Sequence, residues 1–360
     1  MHQFRNDYSE GAHPDILDAL VRTNLEQTVG YGSDEHCAKA ADYIRTEIAQ
    51  PDAHVSFVPG GTPANILAIT ALTEEFEGPL CAADAHPTIH ETGAIEAHGR
   101  RLLATHDPLG RLTCEGMEPL WNAAAANGAA TTRPGMLYLS QTSELGHVYN
   151  RSEFDALCDW AWARDLAVYV DGARMASGCM ARGGDLTIQH IAERADAFTL
   201  GGTKNGMLFG EALVLNPRTA RGQRACERIP YLTKRAGQLT AKGRIMGVMF
   251  EAAFDPATRD DSGKVLYWQM AHHANDMACR LASGLREAGF EPLLETTGNQ
   301  QFFWATHTEA EQLAEVLGCE PTAGEDPLGA GRELVRFVTS WATPKEAVSE
   351  AVAFAASLRA

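Results

Sequence analysis

The sequence has no apolar run that approaches the ~20 residues needed by a membrane-spanning helix. A secretory signal peptide needs an apolar core, and the first residues of this sequence are polar. We therefore expect no signal peptide. The eight cysteines are scattered and include no C-x-x-C pair. We therefore expect reduced thiols in a cytoplasmic protein, with neither a disulfide framework nor a metal site.

Basic residues are also in short supply, with 30 Lys and Arg against 47 Asp and Glu and a formal net charge of −17. Such an excess of negative charge disfavours binding to nucleic acid or to an anionic membrane surface. The remaining composition is that of a globular protein, since 45% of the residues are apolar and 21% are charged. We expect a small molecule as the partner.

Short apolar runs alternate with helical patterns along most of the chain. Near-continuous apolar strands separated by helices predict an α/β fold, with a mainly parallel sheet and helices on both faces. A smaller strand–helix–strand–helix pattern follows and predicts a C-terminal α+β unit. We expect an N-terminal arm at residues 1–25, a large α/β domain at 26–250 and a small domain at 251–360. In the large domain, strands are predicted at 54–58, 79–84, 101–105, 135–140, 166–171, 197–200 and 211–215 and helices at 34–48, 63–73, 87–98, 115–126 and 152–164.

Ligands of such sheets bind beyond the carboxyl ends of the strands. Gly60, Gly61 and Thr62 follow one predicted strand and open a helix. Two glycines and the free N–H groups of a helix N-terminus suit a phosphate group, whereas the alternative is a tight turn with Thr62 as the N-cap. The chain lacks the G-x-G-x-x-G fingerprint here, which disfavours a nicotinamide-dependent dehydrogenase.

Three more polar side chains follow strands. Asp171 ends a buried strand, where it could hold a pyridinium proton or a metal, or pair structurally with Arg174. Lys204, one of only six lysines, lies among small residues that would lower the pKa of its amine, although a solvated turn lysine is the alternative. His86 could stack on a planar ring or move protons, or be an ordinary core histidine.

Taken together, these residues match the needs of pyridoxal 5'-phosphate (PLP). The phosphate would bind at the helix N-terminus, the ring would pack on His86, Asp171 would keep the pyridine nitrogen protonated and Lys204 would form the Schiff base. A non-catalytic regulatory protein would have no use for Lys204 in such a turn.

A set of motifs resembles the low-specificity L-threonine aldolases and related β-eliminating lyases, in family order over nearly the whole chain. These motifs are Tyr31-Gly32-Ser33-Asp34, Pro59-Gly60-Gly61-Thr62-Pro63-Ala64-Asn65, Ala85-His86 with Glu91-Thr92-Gly93, Val170-Asp171-Gly172-Ala173-Arg174, Thr203-Lys204, His273-Ala274-Asn275 and Val335-Arg336-Phe337-Val338-Thr339. The resemblance implies the fold type I architecture of PLP enzymes. It also implies that Lys204 forms the Schiff base, that Asp171 is the partner of the pyridine nitrogen, that His86 stacks on the ring and that Gly61 and Thr62 bind the phosphate group.

The resemblance also implies roles for side chains elsewhere in the sequence. Arg174 and Arg336 would bind the carboxylate of the substrate. Arg244, with Lys242, would reach the phosphate group of a neighbouring subunit, which implies a homodimer or a homotetramer. These two residues belong to a basic island at 217–245, whose alternative role is a solvated helix face.

Two positions depart from the family's pattern. Ser143 occupies the place of an active-site histidine, and Asn6 that of a serine that helps to hold the substrate carboxylate. We expect retro-aldol cleavage of an L-β-hydroxy-α-amino acid, such as threonine or allo-threonine, to glycine and an aldehyde. The base would be His86, or a water held near Ser143 and Glu144. β-Elimination, or other chemistry at Cα or Cβ on the same scaffold, is the alternative.

Overall fold

The computed structural model describes residues 2–322, 324 and 326–359, which form two β-sheets and the helices around them. The larger sheet has seven strands in the spatial order β1-β7-β6-β5-β4-β2-β3. Its strands are β1 (His54–Val58), β2 (Glu77–Ala82), β3 (Leu103–Thr105), β4 (Arg133–Ser140), β5 (Ala167–Asp171), β6 (Ala197–Gly201) and β7 (Glu211–Leu215). The smaller sheet has the order β10-β11-β9-β8, with β8 (Glu291–Pro292), β9 (Gln300–Ala305), β10 (Glu320–Thr322) and β11 (Glu333–Val338).

The helices connect these strands and cover both sheets. They are α1 (Pro14–Arg22), α2 (Glu35–Glu47), α3 (Gly61–Leu72), α4 (His86–Ile89), α5 (Ala94–Ala97), α6 (Cys114–Asn127), α7 (Arg151–Trp162), α8 (Met175–Cys179), α9 (Ile188–Arg194), α10 (Ala220–Arg235), α11 (Arg244–Phe254), α12 (Leu266–Glu287), α13 (His307–Leu317) and α14 (Lys345–Ser357). None of the helices in the described part of the chain combines the length and the apolar character needed to cross a membrane.

The large sheet is buried on both faces. Successive residues of its central strands point to opposite sides, so that Leu137 and Val168 enter one hydrophobic cluster while Tyr138 and Tyr169 enter the other. Helices α3 and α10 cover the second face, and α2, α7 and α9 contribute to the first. This burial explains the near-continuous apolar strands in the sequence and confirms the predicted mainly parallel α/β fold.

One strand of the large sheet runs against the others. β7 pairs antiparallel with both β6 and β1, whereas the pairs from β6 through β5, β4 and β2 to β3 are parallel. The connection from β6 to β7 spans only 202–210, which is too short for the crossover that a parallel pair requires. The two strands therefore form a hairpin, and Lys204 lies in its loop.

The N-terminal arm packs against the smaller, antiparallel sheet and helix α13. The backbone N–H of Phe4 donates to the carbonyl of Leu317 at 2.8 Å, and the N–H of Val338 donates to the carbonyl of Phe4 at 2.8 Å. The Phe4 side chain is fully buried in the core of this unit. Helix α12 has residues in both cores, Tyr267 in the large one and Leu281 in the small one. The division near residue 250 stays a prediction.

Three local structures differ from the sequence predictions. The helix predicted at 87–98 is divided into α4 and α5, because Thr92 and Gly93 have positive φ values of 53° and 71°. β2 starts earlier than predicted, at Glu77, a buried acidic residue whose carboxylate binds Arg221 at 2.8 Å. The helix α1 lies within the predicted N-terminal arm and was not predicted as a helix.

The position of Phe4 generates a test of the arm's contribution to stability. Phe4→Ala should lower the free energy of unfolding by about 3–5 kcal/mol, because it leaves a cavity in the smaller core. Urea denaturation followed by circular dichroism measures this change. The matched control is Tyr8→Ala, since Tyr8 is 54% exposed and its loss should change stability by about 0.5 kcal/mol or less. Equal losses in both variants would contradict a docked arm.

Candidate active site

The candidate site lies at the carboxyl edge of the large sheet. The parallel strands β4, β5 and β6 all end at this edge, and β1 runs in the same direction because it is antiparallel to β7. The edge therefore gathers Asp171 at the end of β5, Lys204 after β6 and Gly60 after β1, although they are far apart in sequence. The order and direction of the strands therefore bring these three residues to one edge of the sheet.

Asp171 is almost fully buried and is held by neutral donors. The hydroxyl of Tyr138 and the side-chain amide of Asn65 both donate to Oδ2, the latter at 3.1 Å. The backbone N–H of Ala173 donates to Oδ1 at 3.0 Å. None of these donors neutralises the carboxylate, so Asp171 suits a cationic ring nitrogen.

A hydrogen-bond network connects Asp171 to His86. Asn65 also donates to Oε1 of Glu91 at 2.7 Å, and the hydroxyl of Tyr169 donates to Oδ1 of Asn65 at 2.9 Å. The same Oε1 atom of Glu91 lies 2.7 Å from Nδ1 of His86. This hydrogen bond raises the pKa of His86 against the opposing effect of burial. The network fixes both the imidazole ring and the carboxylate.

Lys204 is partly buried in the β6–β7 loop, close to charges of both signs. Burial lowers the pKa of its amine, and the positive charge of Arg174 lowers it further. The carboxylates of Asp7, Glu144 and Asp171 act in the opposite direction. A lowered pKa increases the fraction of unprotonated amine, which is the nucleophilic form.

Arg174 forms a buried ion pair with the N-terminal arm. Its Nε and Nη2 atoms donate to the two carboxylate oxygens of Asp7 at 2.8 and 3.1 Å, and Asn299 donates to Asp7 at 2.9 Å. Burial would raise the pKa of Asp7, but Arg174 lowers it overall. The structure thus pairs Arg174 with Asp7 of the arm, whereas the sequence suggested Asp171 as its structural partner.

The glycine turn after β1 leaves open space at the start of α3. An added Cβ atom at Gly61 would meet no heavy atom within 4 Å, and one at Gly60 would meet only Pro63 Cδ at 3.9 Å. The N-cap of α3 is Gly60, without a side-chain hydrogen bond, so the alternative role of Thr62 as the N-cap is wrong. The first N–H groups of the helix remain available to an anion.

The predicted substrate-binding residues occupy different surroundings. Arg336 on β11 donates to the carboxylate of Glu320 and lines a cavity of about 600 Å³, together with Asp84 and Glu144. This cavity lies between the two sheets, since Phe302 of β9 also contributes to its wall. The packing of the smaller sheet therefore brings Arg336 to the same cavity as residues that follow β2, β3 and β4 of the large sheet.

Ser143 and Asn6 have local hydrogen bonds. The Ser143 hydroxyl accepts from the N–H of His147 at 3.0 Å within a turn, and the Asn6 side chain accepts from the N–H of Tyr8 at 3.0 Å. Glu144, next to Ser143, has electrostatic interactions with both His86 and Lys204. Of these three side chains, Glu144 is the one whose charge reaches the centre of the site.

Arg244 and Lys242 lie apart from the other predicted site residues in this subunit. The Arg244 guanidinium donates to the carbonyls of Thr23 and Asn24 at 2.8 and 3.1 Å, and Lys242 is exposed. Their expected contact with a neighbouring subunit's phosphate group stays a prediction.

Tyr138 and Glu211 were not predicted as site residues, and Asn65 and Glu91 occur only within the motifs quoted above. Tyr138 and Asn65 have no spacing relative to Asp171 that would signal a hydrogen bond in advance. Glu211 is a buried carboxyl opposite Gly201, the residue that ends β6. The only feature of the sequence that could have indicated Glu211 is that an acidic residue begins an otherwise apolar strand.

Comparisons with known proteins agree along nearly the whole chain. Residues 3–318 match the family model described as beta-eliminating lyase. The low specificity L-threonine aldolase of Pseudomonas aeruginosa is 29% identical over 97% of this chain and 95% of that protein. The low specificity L-threonine aldolase of Escherichia coli K12 is 25% identical over 94% and 93%.

Two solved structures extend this similarity. The threonine aldolase of Leishmania major is 33% identical, with a TM-score of 0.91 and complete coverage of both chains. A protein from Exiguobacterium, described as a putative aromatic amino acid beta-eliminating lyase/threonine aldolase, is 16% identical with a TM-score of 0.70, over 99% of this chain and 97% of that chain. This second match shows a shared fold.

The Glu91–His86 hydrogen bond generates a prediction about proton binding. Glu91→Gln should lower the pKa of His86, because the hydrogen bond with Glu91 raises it. Titration of the histidine NMR signals measures the shift.

The matched control for this test is Glu333→Gln. Glu333 lies 2.5 Å from Nδ1 of the exposed His307, so this variant should lower the pKa of His307 and leave that of His86 unchanged. An unaltered His86 titration in Glu91→Gln would show that Glu91 does not control its protonation.

Proposed function

The chain belongs to the beta-eliminating lyase family, and on this premise we propose that it binds PLP and cleaves L-threonine or a related β-hydroxy-α-amino acid to glycine and an aldehyde. The similarity to threonine aldolases over the whole chain supports this activity. The resemblance stated from the sequence motifs is confirmed, as is a fold shared with fold type I enzymes. A nicotinamide-dependent dehydrogenase is accordingly set aside.

The observation that carries the proposal is the buried Asp171 carboxylate beside an amine of lowered pKa, Lys204. These two residues and the open helix N-terminus at Gly60, Gly61 and Thr62 fit the three parts of PLP. Asp171 would hold the ring nitrogen, Lys204 would bind the cofactor covalently, and the helix N-terminus would bind the phosphate group.

His86 completes this arrangement. Its ring is oriented by Glu91 and would pack on the face of the cofactor ring. When bound, PLP supplies an electron sink for the bond that breaks at Cα of the substrate. The task of the protein is then to orient the substrate and to move protons.

Orientation of the substrate would depend on two arginines. Arg174, held by Asp7, and Arg336, at the wall of the cavity between the sheets, would bind the substrate carboxylate. Asn6, in the arm next to Asp7, and Ser143 are the further candidates for contact with the substrate. A fixed carboxylate determines which bond at Cα is cleaved.

The proton on the β-hydroxyl group needs an acceptor. His86 is one candidate, and its raised pKa would help it to retain a proton once taken. The other is a water molecule held near Ser143 and Glu144, and Glu144 has the charge for that role. Transfer of the proton to either acceptor would allow the aldehyde to leave a substrate whose carboxylate is already held.

We propose in addition that the protein assembles as a homodimer or a homotetramer. The exposed side chains of Leu25, Val29 and Tyr31 lie in the segment beside Arg244 and support such an interface. Arg244 and Lys242 would then contribute to the phosphate site of the neighbouring subunit.

Lys204→Ala is the direct test of the proposed function. It should reduce threonine cleavage by more than about 10³-fold, because the nucleophilic amine is removed. In the wild-type protein, borohydride should fix a PLP-sized mass on the peptide that contains Lys204, as measured by mass spectrometry. The control Lys345→Ala removes an exposed lysine and should retain both properties. A wild-type protein that carries no such mass would contradict the proposal.

Arg336→Lys tests the contact with the substrate carboxylate. It should raise KM for threonine about tenfold or more, since a point charge replaces a two-pronged guanidinium, while PLP affinity stays nearly the same. Steady-state kinetics and PLP titration measure the two effects. The matched control Arg332→Lys changes another guanidinium near β11, one that binds Asp326 and Glu291. An unchanged KM in Arg336→Lys would place Arg336 away from the substrate.

A further inference from the structure

The N-terminal arm contacts both of the arginines that are expected to bind the substrate carboxylate. The Nε and Nη2 atoms of Arg174 donate to the two carboxylate oxygens of Asp7 at 2.8 and 3.1 Å. Earlier in the arm, the carbonyl oxygen of Arg5 accepts from Nη2 of Arg336 at 3.4 Å. Arg174 follows β5 of the large sheet and Arg336 lies on β11 of the smaller one, so the arm connects guanidinium groups from the two sheets.

The ion pair between Arg174 and Asp7 is buried. The two side chains are 8% and 1% exposed. A charge at this depth is costly without a partner, so each of the two groups depends on the other. The pair is therefore a fixed part of the interior and differs from the exposed ion pairs of the surface.

The pair with Asp7 leaves part of the Arg174 guanidinium for another acceptor. A guanidinium group carries N–H donors on Nε, Nη1 and Nη2, and Asp7 binds along the edge formed by Nε and Nη2. Nη1 takes no part in this pair. A planar group that is held along one edge cannot rotate freely, so its other edge keeps a constant direction. Arg174 also interacts electrostatically with Lys204 and Glu144, which relates this guanidinium to the centre of the candidate site.

Asp7 is itself held by the end of the smaller sheet. The side-chain amide of Asn299 donates to Oδ2 of Asp7 at 2.9 Å and to the carbonyl of Thr339 at 2.9 Å. Asn299 directly precedes β9, and Thr339 directly follows β11. The carboxylate of Asp7 thus accepts from Arg174 on the large sheet and from Asn299 beside the smaller one.

We propose that Asp7 is a positioning residue for recognition of the substrate carboxylate, because it holds the guanidinium of Arg174 in one orientation. Asp7 acts through Arg174, and its own oxygens accept from Arg174 and Asn299. The arm and the smaller sheet then contribute to substrate affinity through this ion pair. This role in substrate binding rests on the proposed function, whereas the fixing of Arg174 by Asp7 does not.

Asp7→Asn is the central variant of the test. Asparagine has nearly the size of aspartate but only one acceptor oxygen, and its NH2 group would face the donors of Arg174 or Asn299. The variant should raise KM for threonine about tenfold, because the guanidinium loses a charge-assisted pair that orients it, with kcat nearly unchanged. PLP affinity should also stay nearly the same. Steady-state kinetics and PLP titration measure these quantities.

A ligand without a carboxylate separates positioning from a general structural defect. 1-Amino-2-propanol is threonine without its carboxylate, and it should inhibit the wild type and Asp7→Asn with the same inhibition constant. A structural defect would instead weaken both ligands. Asp7→Glu retains the negative charge and should recover most of the affinity for threonine. Circular dichroism establishes that each variant is folded.

The reactivity of Arg174 tests the ion pair without any substrate. Phenylglyoxal modifies guanidinium groups, and mass spectrometry of the peptide that contains Arg174 gives the rate of its modification in the full-length protein. This rate should be several-fold higher in Asp7→Asn than in the wild type or in Asp7→Glu. The matched control is Asp276→Asn, which removes the 3.1 Å partner of the exposed Arg182 and should leave both the Arg174 rate and KM unchanged.

The outcomes are distinct. A raised KM in Asp7→Asn, with unchanged inhibition by 1-amino-2-propanol and recovery in Asp7→Glu, supports the proposal. A folded Asp7→Asn variant with the wild-type KM, or one that binds both ligands more weakly to the same extent, overturns it. If the wild-type protein cleaves no threonine, the proposed function fails, and the Arg174 modification rates still decide whether Asp7 fixes this guanidinium.

Discussion

The Asp171 carboxyl group lies in the interior with three neutral hydrogen-bond donors around it. A buried negative charge without a cation at contact distance is costly, and the surrounding structure must hold it in place. Tyr138 comes from β4 and Asn65 from α3, so two different elements must pack correctly before the carboxylate is held. The interaction also extends through Asn65 to Glu91 and His86, which makes the orientation of the imidazole depend on the same packing.

The other charges of the site are organised around this one by the connections of the sheet. The short β6–β7 hairpin places Lys204 beside the end of β5, and it places Glu211 opposite the end of β6. Because β7 is antiparallel to both β6 and β1, β1 runs parallel to the central strands. The glycine turn after β1 therefore lies at the same edge of the sheet. One antiparallel strand in an otherwise parallel sheet thereby brings the amine, the carboxylate and the helix N-terminus to a common edge.

Much of the fold could be predicted because the strands of the large sheet are buried on both faces and read as apolar runs. The residues at the strand ends, Asp171 and Lys204, were predicted from their chemistry and local surroundings. Tyr138 and Asn65 could not be predicted as partners of Asp171, since their contacts depend on how β4 and α3 pack, and no spacing in the sequence encodes that. The division between α4 and α5 was missed because it rests on positive backbone angles at two residues within an otherwise helical pattern.

The docking of the N-terminal arm has a consequence for the synthesis of the protein. Phe4 finds its backbone partners in Leu317 and Val338, which leave the ribosome long after it, at a rate of ~5–20 residues per second. Until then Asp7, three residues along the arm, has no fixed place beside Arg174. A chain that ends before Asn299 lacks both backbone partners of Phe4 and also the side-chain amide that donates to Asp7. Completion of the pocket therefore coincides with completion of the smaller sheet, and partly made chains do not present a finished binding site.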